Sequence, residues 1–220
     1  MEEENTADAN YQLGKVGQLS GEALDTLELQ LRFNVCLARE QDLKRNFLAA
    51  ALNFFRLSTS PGVDDADLLE LLRMSTICAV LLDAGPRKAR LVATLMKDPR
   101  MNPDSVPLYD LLSSFHEGKI VKLEALKALE KLFRVHQLVK GQFEMTLLER
   151  VTIEHNMLSF GQYFENISLD RMASMVGLDH GTTQDILAQM IEGGRLEAVI
   201  DEIEGFVEFE PQDPLARDQM

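Results

Sequence analysis

The feature that most constrains the fold is a change in the spacing of apolar residues near residue 140. Before it, from Glu22 to about Val139, apolar residues recur at helical spacing in six segments. The segments form pairs that begin near residues 22, 64 and 106, and a period of about 42 residues is typical of HEAT-like helical repeats. Because a two-helix unit cannot bury its apolar side alone, stacked pairs must share one core. We therefore predict helical repeats over residues 21–144, after a disordered lead-in at 1–20.

Turn-forming residues separate the predicted helices. Ser60-Pro61-Gly62 and Gly85-Pro86 are strong breaks. Pro99, Pro103 and Pro107 interrupt the chain after the fourth helix. The helices predicted before residue 140 cover about 22–39, 42–57, 65–82, 87–97, 108–117 and 123–139.

The pattern after residue 140 predicts a winged helix. A long helix over about Met145–Phe164 and a short one over Leu169–Val176 precede a third, which has Thr182 as its expected N-cap and ends at Gly193-Gly194. Two apolar-rich runs around Glu204-Gly205 then indicate a β-hairpin. We predict a winged helix over residues 145–210 and a loose tail at 211–220. The expected fold class is mainly α, a HEAT/TPR-like helical repeat followed by a winged helix.

The hairpin is the first candidate partner-binding surface. If Glu204-Gly205 forms a two-residue turn, Asp201 lies opposite Glu208, and two like charges in that position are unfavourable unless a partner supplies a cation. The hairpin would also leave the backbone edge of residues 206–210 unpaired, so that a neighbouring winged helix could extend it. The same register places Ile200 opposite Phe209, and on this prediction the contact residues are Asp201, Phe206, Val207, Glu208 and Phe209.

A basic helix side is the second candidate surface. Arg87, Arg90 and Lys97 share one side of the fourth predicted helix, opposite Leu91 and Leu95. Cations near a helix N-terminus oppose the helix dipole, which favours a functional reason for them. We predict that Arg87, Arg90 and Lys97 face an acidic partner subunit.

The charge balance argues against nucleic acid as a partner. The chain carries a net charge of −14. Residues 150–210 contain three basic and twelve acidic residues, and the third helix of the predicted winged helix has neither Lys nor Arg. Specific DNA binding needs several cations that neutralise phosphates. We therefore expect neither nucleic acid nor an anionic membrane surface as a partner.

The sequence shows no pattern typical of catalysis or of a cofactor site. None of the four histidines lies in H-E-x-x-H, and no P-loop, G-x-S-x-G or G-x-G-x-x-G occurs. His155 is interpreted as a structural hydrogen-bonding residue. Cys36 and Cys78 are far apart without a C-x-x-C, so we expect two buried reduced thiols and no metal. We predict that the chain is not an enzyme and needs no cofactor.

The N-terminal residues indicate in which cellular compartment we expect the protein. Met1–Asn10 is acidic and polar, unlike a signal peptide, and no apolar run is long enough to span a membrane. We expect the protein in the cytoplasm and nucleus.

Several stretches together resemble a known family. The stretches Glu149–Leu158 and Asn166–Leu169 are similar to the start of the winged-helix part of PCI domains. The run from Gln189 to Glu210, together with Ala84-Gly85 and Arg90–Asp98, resembles the subunit-four family of the COP-nine signalosome. The resemblance covers roughly residues 22–210.

The resemblance implies a scaffold function. Such subunits are non-catalytic members of a complex that removes a ubiquitin-like modifier from cullins, with the metalloprotease on another subunit. Implied partners are other PCI and MPN-type subunits, and cullin ligases indirectly. The family pattern includes a longer N-terminal arm and a long C-terminal helix, whereas this sequence has little before residue 22 and stops at Met220. The alternatives are a PCI subunit of the proteasome lid or of translation initiation factor three, and a winged-helix nucleic-acid-binding regulator.

Overall fold

A computed structural model describes residues 27–210, with side chains from Leu29 onward. The predicted lead-in at 1–20 and tail at 211–220 lie outside the described residues. The chain divides into two compact units between Ala79 and Val80. The domain boundary predicted between residues 144 and 145 stays a prediction.

The first unit consists of helices, as the apolar spacing predicts. It contains α1 (Leu27–Leu43), α2 (Phe47–Leu57) and most of α3 (Asp65–Val80). One apolar side of α2 is buried, and the Ser75 hydroxyl of α3 donates to the Ala51 carbonyl of α2 at 2.8 Å. Cys78 is buried as expected, but Cys36 is exposed, so the expectation that both thiols are buried is wrong for Cys36.

The second unit begins with helices close to their predicted bounds. Helices α4 (Pro86–Met96) and α5 (Tyr109–Glu117) pack against each other, and α6 (Leu123–Leu126) follows. Pro86 occupies the first turn of α4, where its missing N–H costs no hydrogen bond. Gly118 ends α5 in the left-handed conformation that glycine adopts without strain.

The sixth predicted helix, over 123–139, is wrong beyond its first turn. After α6 the chain forms two 3₁₀ helices, Glu130–Leu132 and Val135–Gln137. Leu126, Phe133 and Gln137 are buried, and the Gln137 side chain accepts the Arg134 N–H at 2.9 Å. Helix propensity contributes only tenths of a kcal/mol per residue, about 0.7 at most for ordinary residues, so burial at these anchors outweighs it.

The winged helix follows with its three helices and its hairpin in the predicted order, and a short strand that was not predicted lies between its first two helices. It comprises α7 (Leu147–Tyr163), β1 (Asn166–Ser168), α8 (Leu169–Val176), α9 (His180–Glu192), β2 (Ala198–Asp201) and β3 (Phe206–Phe209). Side chains from all of these elements share one buried core, among them Met157, Phe160, Met172, Leu187 and Val207. The predicted fold class is confirmed.

The start of α9 differs from the prediction. Its N-cap is Asp179, whose carboxylate accepts the Thr182 N–H at 2.9 Å and the Thr182 hydroxyl at 2.6 Å. Asp is a stronger N-cap than Thr, so the helix begins three residues earlier than expected. Within residues 27–210 no helix is long and apolar enough to cross a membrane.

Candidate protein-interaction surface

The hairpin lies in a three-stranded sheet whose order is β1-β3-β2. Strand β3 is therefore the central strand, since β1 pairs with it antiparallel, with Ile167 opposite Val207. The hypothesis that the edge of residues 206–210 is open to a partner is wrong, because β1 already occupies that edge. Strand β1 was missed because a three-residue strand is too short to show alternation.

The predicted hairpin register is also wrong. Asp201 lies opposite Phe206 and Val199 opposite Glu208, so the two carboxylates of Asp201 and Glu208 are not directly opposed. Four residues connect the strands instead of two, because the Asp201 carboxylate accepts the N–H groups of Ile203 and Glu204, both at 2.9 Å. Local side-chain capping therefore sets the loop length.

The candidate contact residues of the hairpin divide between two sides of the sheet. Val207 and Phe209 are buried in the core, which removes them as contact surface. Asp201 and Glu208 are exposed, and Phe206 is 44% exposed. Val199 and Ile203, which were not predicted as contacts, are 59% and 97% exposed. The outer side of the hairpin thus presents three apolar side chains among carboxylates.

The free edge belongs to β2. The Glu210 N–H donates to the Glu197 carbonyl at 3.1 Å, so these two residues form a hydrogen-bonded pair. Along an antiparallel hairpin, hydrogen-bonded pairs alternate with pairs that are not hydrogen-bonded. Val199 therefore bonds to β3, while the N–H and C=O of Ala198 and Ile200 point away from it. No strand within residues 27–210 pairs with this outer edge. An unpaired edge of this kind can accept a strand of another chain.

The basic helix side lies where it was predicted. Arg87 and Arg90 of α4 and Lys97, its C-cap, are all exposed, while Leu91 and Leu95 are buried. None of the three cations forms an ion pair in the described part of the chain. Lys88, between them, is buried, so the exposed row contains three cations.

A buried carboxylate connects the helices before α7 to the winged helix. Glu154 of α7 has no exposed surface. It accepts hydrogen bonds from Arg195 Nη1 at 2.5 Å, Arg150 Nε at 3.0 Å and the Ala84 N–H at 3.3 Å. Ala84 precedes α4 and Arg195 precedes β2, so one side chain joins both ends of the second unit. We call Glu154 with Arg150, Arg195 and Lys88 the charge hub.

Lys88 is the buried cation of the charge hub. Its ammonium donates to the carbonyls of Val80 at 2.7 Å and Leu82 at 3.0 Å, where α3 ends, and lies 4.1 Å from the centroid of the Phe115 ring. Burial lowers the pKa of Lys88 to about 7, while the charges of Glu154 and Asp83 act in the opposite direction. The hydrogen bonds to helix-terminal carbonyls favour the protonated amine.

His155 and Asn156 hold the segment after α5 against α7. His155 Nε2 lies 2.9 Å from the Lys119 carbonyl. The Asn156 side chain accepts the Val121 N–H and donates to the Val121 carbonyl, both at 2.8 Å. The structural role predicted for His155 is confirmed, and α7 carries three consecutive buried polar residues that each bind another segment.

The proximity of Ser159 and His155 does not make a catalytic pair. The Ser159 hydroxyl lies 3.3 Å from His155 Nε2 but donates to the His155 carbonyl at 3.0 Å. Burial lowers the pKa of His155 to about 4, and nearby Lys88 also lowers it. Such an imidazole is a weak base, and its Nε2 is already used by Lys119. Residues 27–210 contain no group of His, Cys, Asp and Glu that could hold a metal ion.

Acid should destabilise the protein through His155. Its folded pKa lies below the value of 6.5 expected for an unfolded chain, so the unfolded state binds more protons between pH 6.5 and about 4. This contribution is complete above pH 6.5, and about 3 kcal/mol should be lost as pH falls to 4. Urea titrations of wild type and His155→Gln across this range would measure it. Because other carboxylates titrate there too, the difference between the two profiles is the test, and parallel profiles would contradict it.

The sequence profile of the PCI domain matches residues 126–211. Residues 126–211 of this chain contain a PCI domain. The chain is also 33% identical over 217 residues to COP9 signalosome complex subunit 4 of Emericella nidulans, an alignment that covers 96% of this chain and 52% of the relative.

Two further relatives, one from an animal and one from a plant, have the same name. COP9 signalosome complex subunit 4 of Drosophila melanogaster is 30% identical over 98% of this chain and 52% of its own length. The Arabidopsis thaliana protein of the same name is 30% identical over 96% of this chain and 54% of its own length. The predicted resemblance is confirmed, and the chain spans about half the length of the curated relatives it matches.

Sequence reasoning missed the charge hub. Glu154 and Arg195 are 41 positions apart, and a buried ion pair at that separation leaves no periodic signal. A weak signal was present, because Glu154, His155 and Asn156 are consecutive polar residues within an otherwise apolar helical pattern, so at least one had to face the core. The PCI-domain match contains Glu154, Arg195 and the hairpin, and Arg87, Arg90 and Lys97 lie before it.

Proposed function

We propose that the chain is a non-catalytic scaffold subunit of a signalosome-type complex that removes a ubiquitin-like modifier from cullins. The observation that carries this proposal is the match of nearly the whole chain to signalosome subunit 4 proteins of fungi, an insect and a plant. The geometry agrees with a scaffold, since Glu154, His155 and Asn156, which are buried in α7, bind other segments of the chain and do not form a reactive site.

The partners in this proposal are other PCI and MPN-type subunits, with cullin ligases reached indirectly. The function would be carried out in the cytoplasm and nucleus. Assembly would use the outer edge of β2 in place of the β3 edge first predicted. Ile200, which is partly exposed, offers a backbone donor and acceptor there, and the exposed side chain of Val199 adds apolar contact area.

Native purification of the tagged chain from its own cells tests this proposal. A signalosome subunit should co-purify with a metalloprotease-containing assembly that cleaves modified cullins. Recovery of proteasome lid subunits or of initiation factor three would replace the proposal with its first alternative. Retention on DNA without a protein assembly would favour the winged-helix regulator. A monomeric chain with no associated subunits would contradict all scaffold functions.

The basic row should affect how fast the chain assembles. Reversing Arg87 and Arg90 to Glu should lower the association rate with the neighbouring subunits by about tenfold at low salt, and the effect should shrink as salt increases. Surface plasmon resonance against the purified remaining subunits would measure it. A matched control is Arg39→Glu with Arg56→Glu, which makes the same charge change on exposed residues of α1 and α2. Equal rates for both variants would mean that the row is only a solvated surface.

A further inference from the structure

A second positively charged region lies between α5 and α7. Residues 119–140, here called the basic segment, carry six exposed cations and only two acidic residues, Glu124 and Glu130, in a chain with a net charge of −14. The six cations are Lys119, Lys122, Lys127, Lys131, Arg134 and Lys140. We infer that the basic segment binds an acidic, aliphatic segment of a partner protein.

The backbone of the basic segment is held in place before any partner binds. Leu126, Phe133 and Gln137 are buried, and each is separated from the next by exposed residues. Turn hydrogen bonds fill the intervals, such as Leu129 N–H to the Leu126 carbonyl at 2.8 Å. A surface that is already ordered loses less conformational entropy on binding than a flexible chain does. The inward anchors therefore keep Lys127 and Lys131 outward.

Most of these cations are available to a partner. Lys119 pairs with Glu117. Lys122, Lys127, Lys131 and Lys140 form no ion pair within residues 27–210. Unpaired surface cations at this density favour an anionic partner through faster encounter and complementary charge.

The apolar residues of the basic segment indicate a protein partner and not a nucleic acid. Val135 is 80% exposed, and Ile120 and Val139 are also exposed. All three are aliphatic, whereas single-stranded nucleic acid is bound by stacking on exposed aromatic rings. The one aromatic residue of the segment, Phe133, is buried. The overall negative charge also repels phosphate backbones at long range.

The chain itself provides an example of the complementary chemistry. Residues 197–210 contain six carboxylates and no cation, and expose Val199, Ile203 and Phe206. A partner segment of this composition would match the basic segment in both charge and apolar surface. The inference rests on the proposed function only for which neighbouring subunit supplies that segment, since the surface chemistry can be tested without the complex.

The test uses the full chain and a fluorescent peptide with the sequence of residues 197–210. Binding is measured by anisotropy for wild type, for Lys127→Glu with Lys131→Glu, and for the control Arg39→Glu with Arg56→Glu, which changes net charge equally. We expect the Lys127/Lys131 reversal to weaken binding by about tenfold or more and the control to match wild type. Raising salt from about 50 to about 300 mM should weaken wild-type binding similarly.

Three results would overturn the inference. The peptide could fail to bind wild type, the two double variants could weaken binding equally, or a peptide with Gln and Asn in place of its acidic residues could bind as well. A single-stranded oligonucleotide that binds in a Lys127- and Lys131-dependent manner, when the peptide does not, would make the segment a nucleic-acid surface instead. Native purification judges the proposed function separately, so failure of one does not imply failure of the other.

Discussion

Replacing Glu154 with alanine should lower the free energy of unfolding by about 3–5 kcal/mol, because removing one partner of a buried ion pair leaves uncompensated charge. Glu154 has no exposed surface, and its carboxylate accepts hydrogen bonds from Arg150, Arg195 and the Ala84 N–H. The arginines are partly exposed and can recover some hydration, but Lys88 is buried and the Ala84 donor loses its acceptor. Urea titration followed by circular dichroism would measure the loss.

Matched variants separate charge from packing at Glu154. Glu192→Ala, on the exposed C-terminal end of α9, should change stability by less than about 0.5 kcal/mol. Glu154→Gln keeps the volume and the oxygen acceptor but removes the charge, so it should fall between wild type and Glu154→Ala. A cycle with Arg195→Leu should show coupling above about 1 kcal/mol between the two side chains. A loss below about 1 kcal/mol for Glu154→Ala would mean that the charge hub contributes little.

A proline at Ile200 should strongly reduce incorporation into the proposed complex while leaving the winged helix folded. The Ile200 N–H points to the outer edge of β2, so the substitution removes no hydrogen bond to β3. It removes a donor that a partner strand would use, and the ring obstructs close approach of that strand. We expect the incorporated fraction to fall by about tenfold, which corresponds to about 1.4 kcal/mol. Quantitative mass spectrometry of the purified complex would measure it.

Two controls make the Ile200→Pro result interpretable. Ile200→Ala loses the same apolar packing but keeps the N–H, so it should match the proline variant in thermal stability and still assemble. Val199→Pro removes an N–H that bonds to β3, and should therefore destabilise the sheet itself. Normal incorporation of a folded Ile200→Pro variant would rule out edge pairing at β2. The outer side of the sheet would then be the remaining candidate contact surface of the hairpin.

Helix positions were predictable because their signals are local. The buried side of α2 and the buried positions of α8 recur at helical spacing. Gly85-Pro86 marks the start of α4, and Gly177 marks the end of α8. The sixth predicted helix had the same local signals, yet the chain forms 3₁₀ turns there. Its helix propensity is overridden by the burial of Leu126 and Phe133 and by the two hydrogen bonds between the Asn156 side chain and the Val121 backbone. These contacts join distant residues, so a short stretch of sequence does not reveal them.

The candidate surfaces also differ in how far local sequence signals predicted them. The exposed row of Arg87, Arg90 and Lys97 follows directly from helical spacing, and the structure places these residues as predicted. The hairpin was predictable as a hairpin, but its register depends on the Asp201 carboxylate binding two N–H groups within the turn. A shift of pairing changes which side chains are opposed, so a small error in the turn displaced every predicted cross-strand pair.

The sequence by itself determined most of the helices, the winged-helix class and the resemblance to a known family, because these depend on short-range periodicity, turn residues and colinear motifs. Only the tertiary structure decided which strand edge is free and which charges are buried together. Strand β1 joins β3 from a distant part of the chain, and Glu154 meets Ala84 and Arg195 across separations of 70 and 41 residues. Such contacts form only when the chain folds back on itself, and one polar residue in sequence does not indicate which distant residue will pair with it.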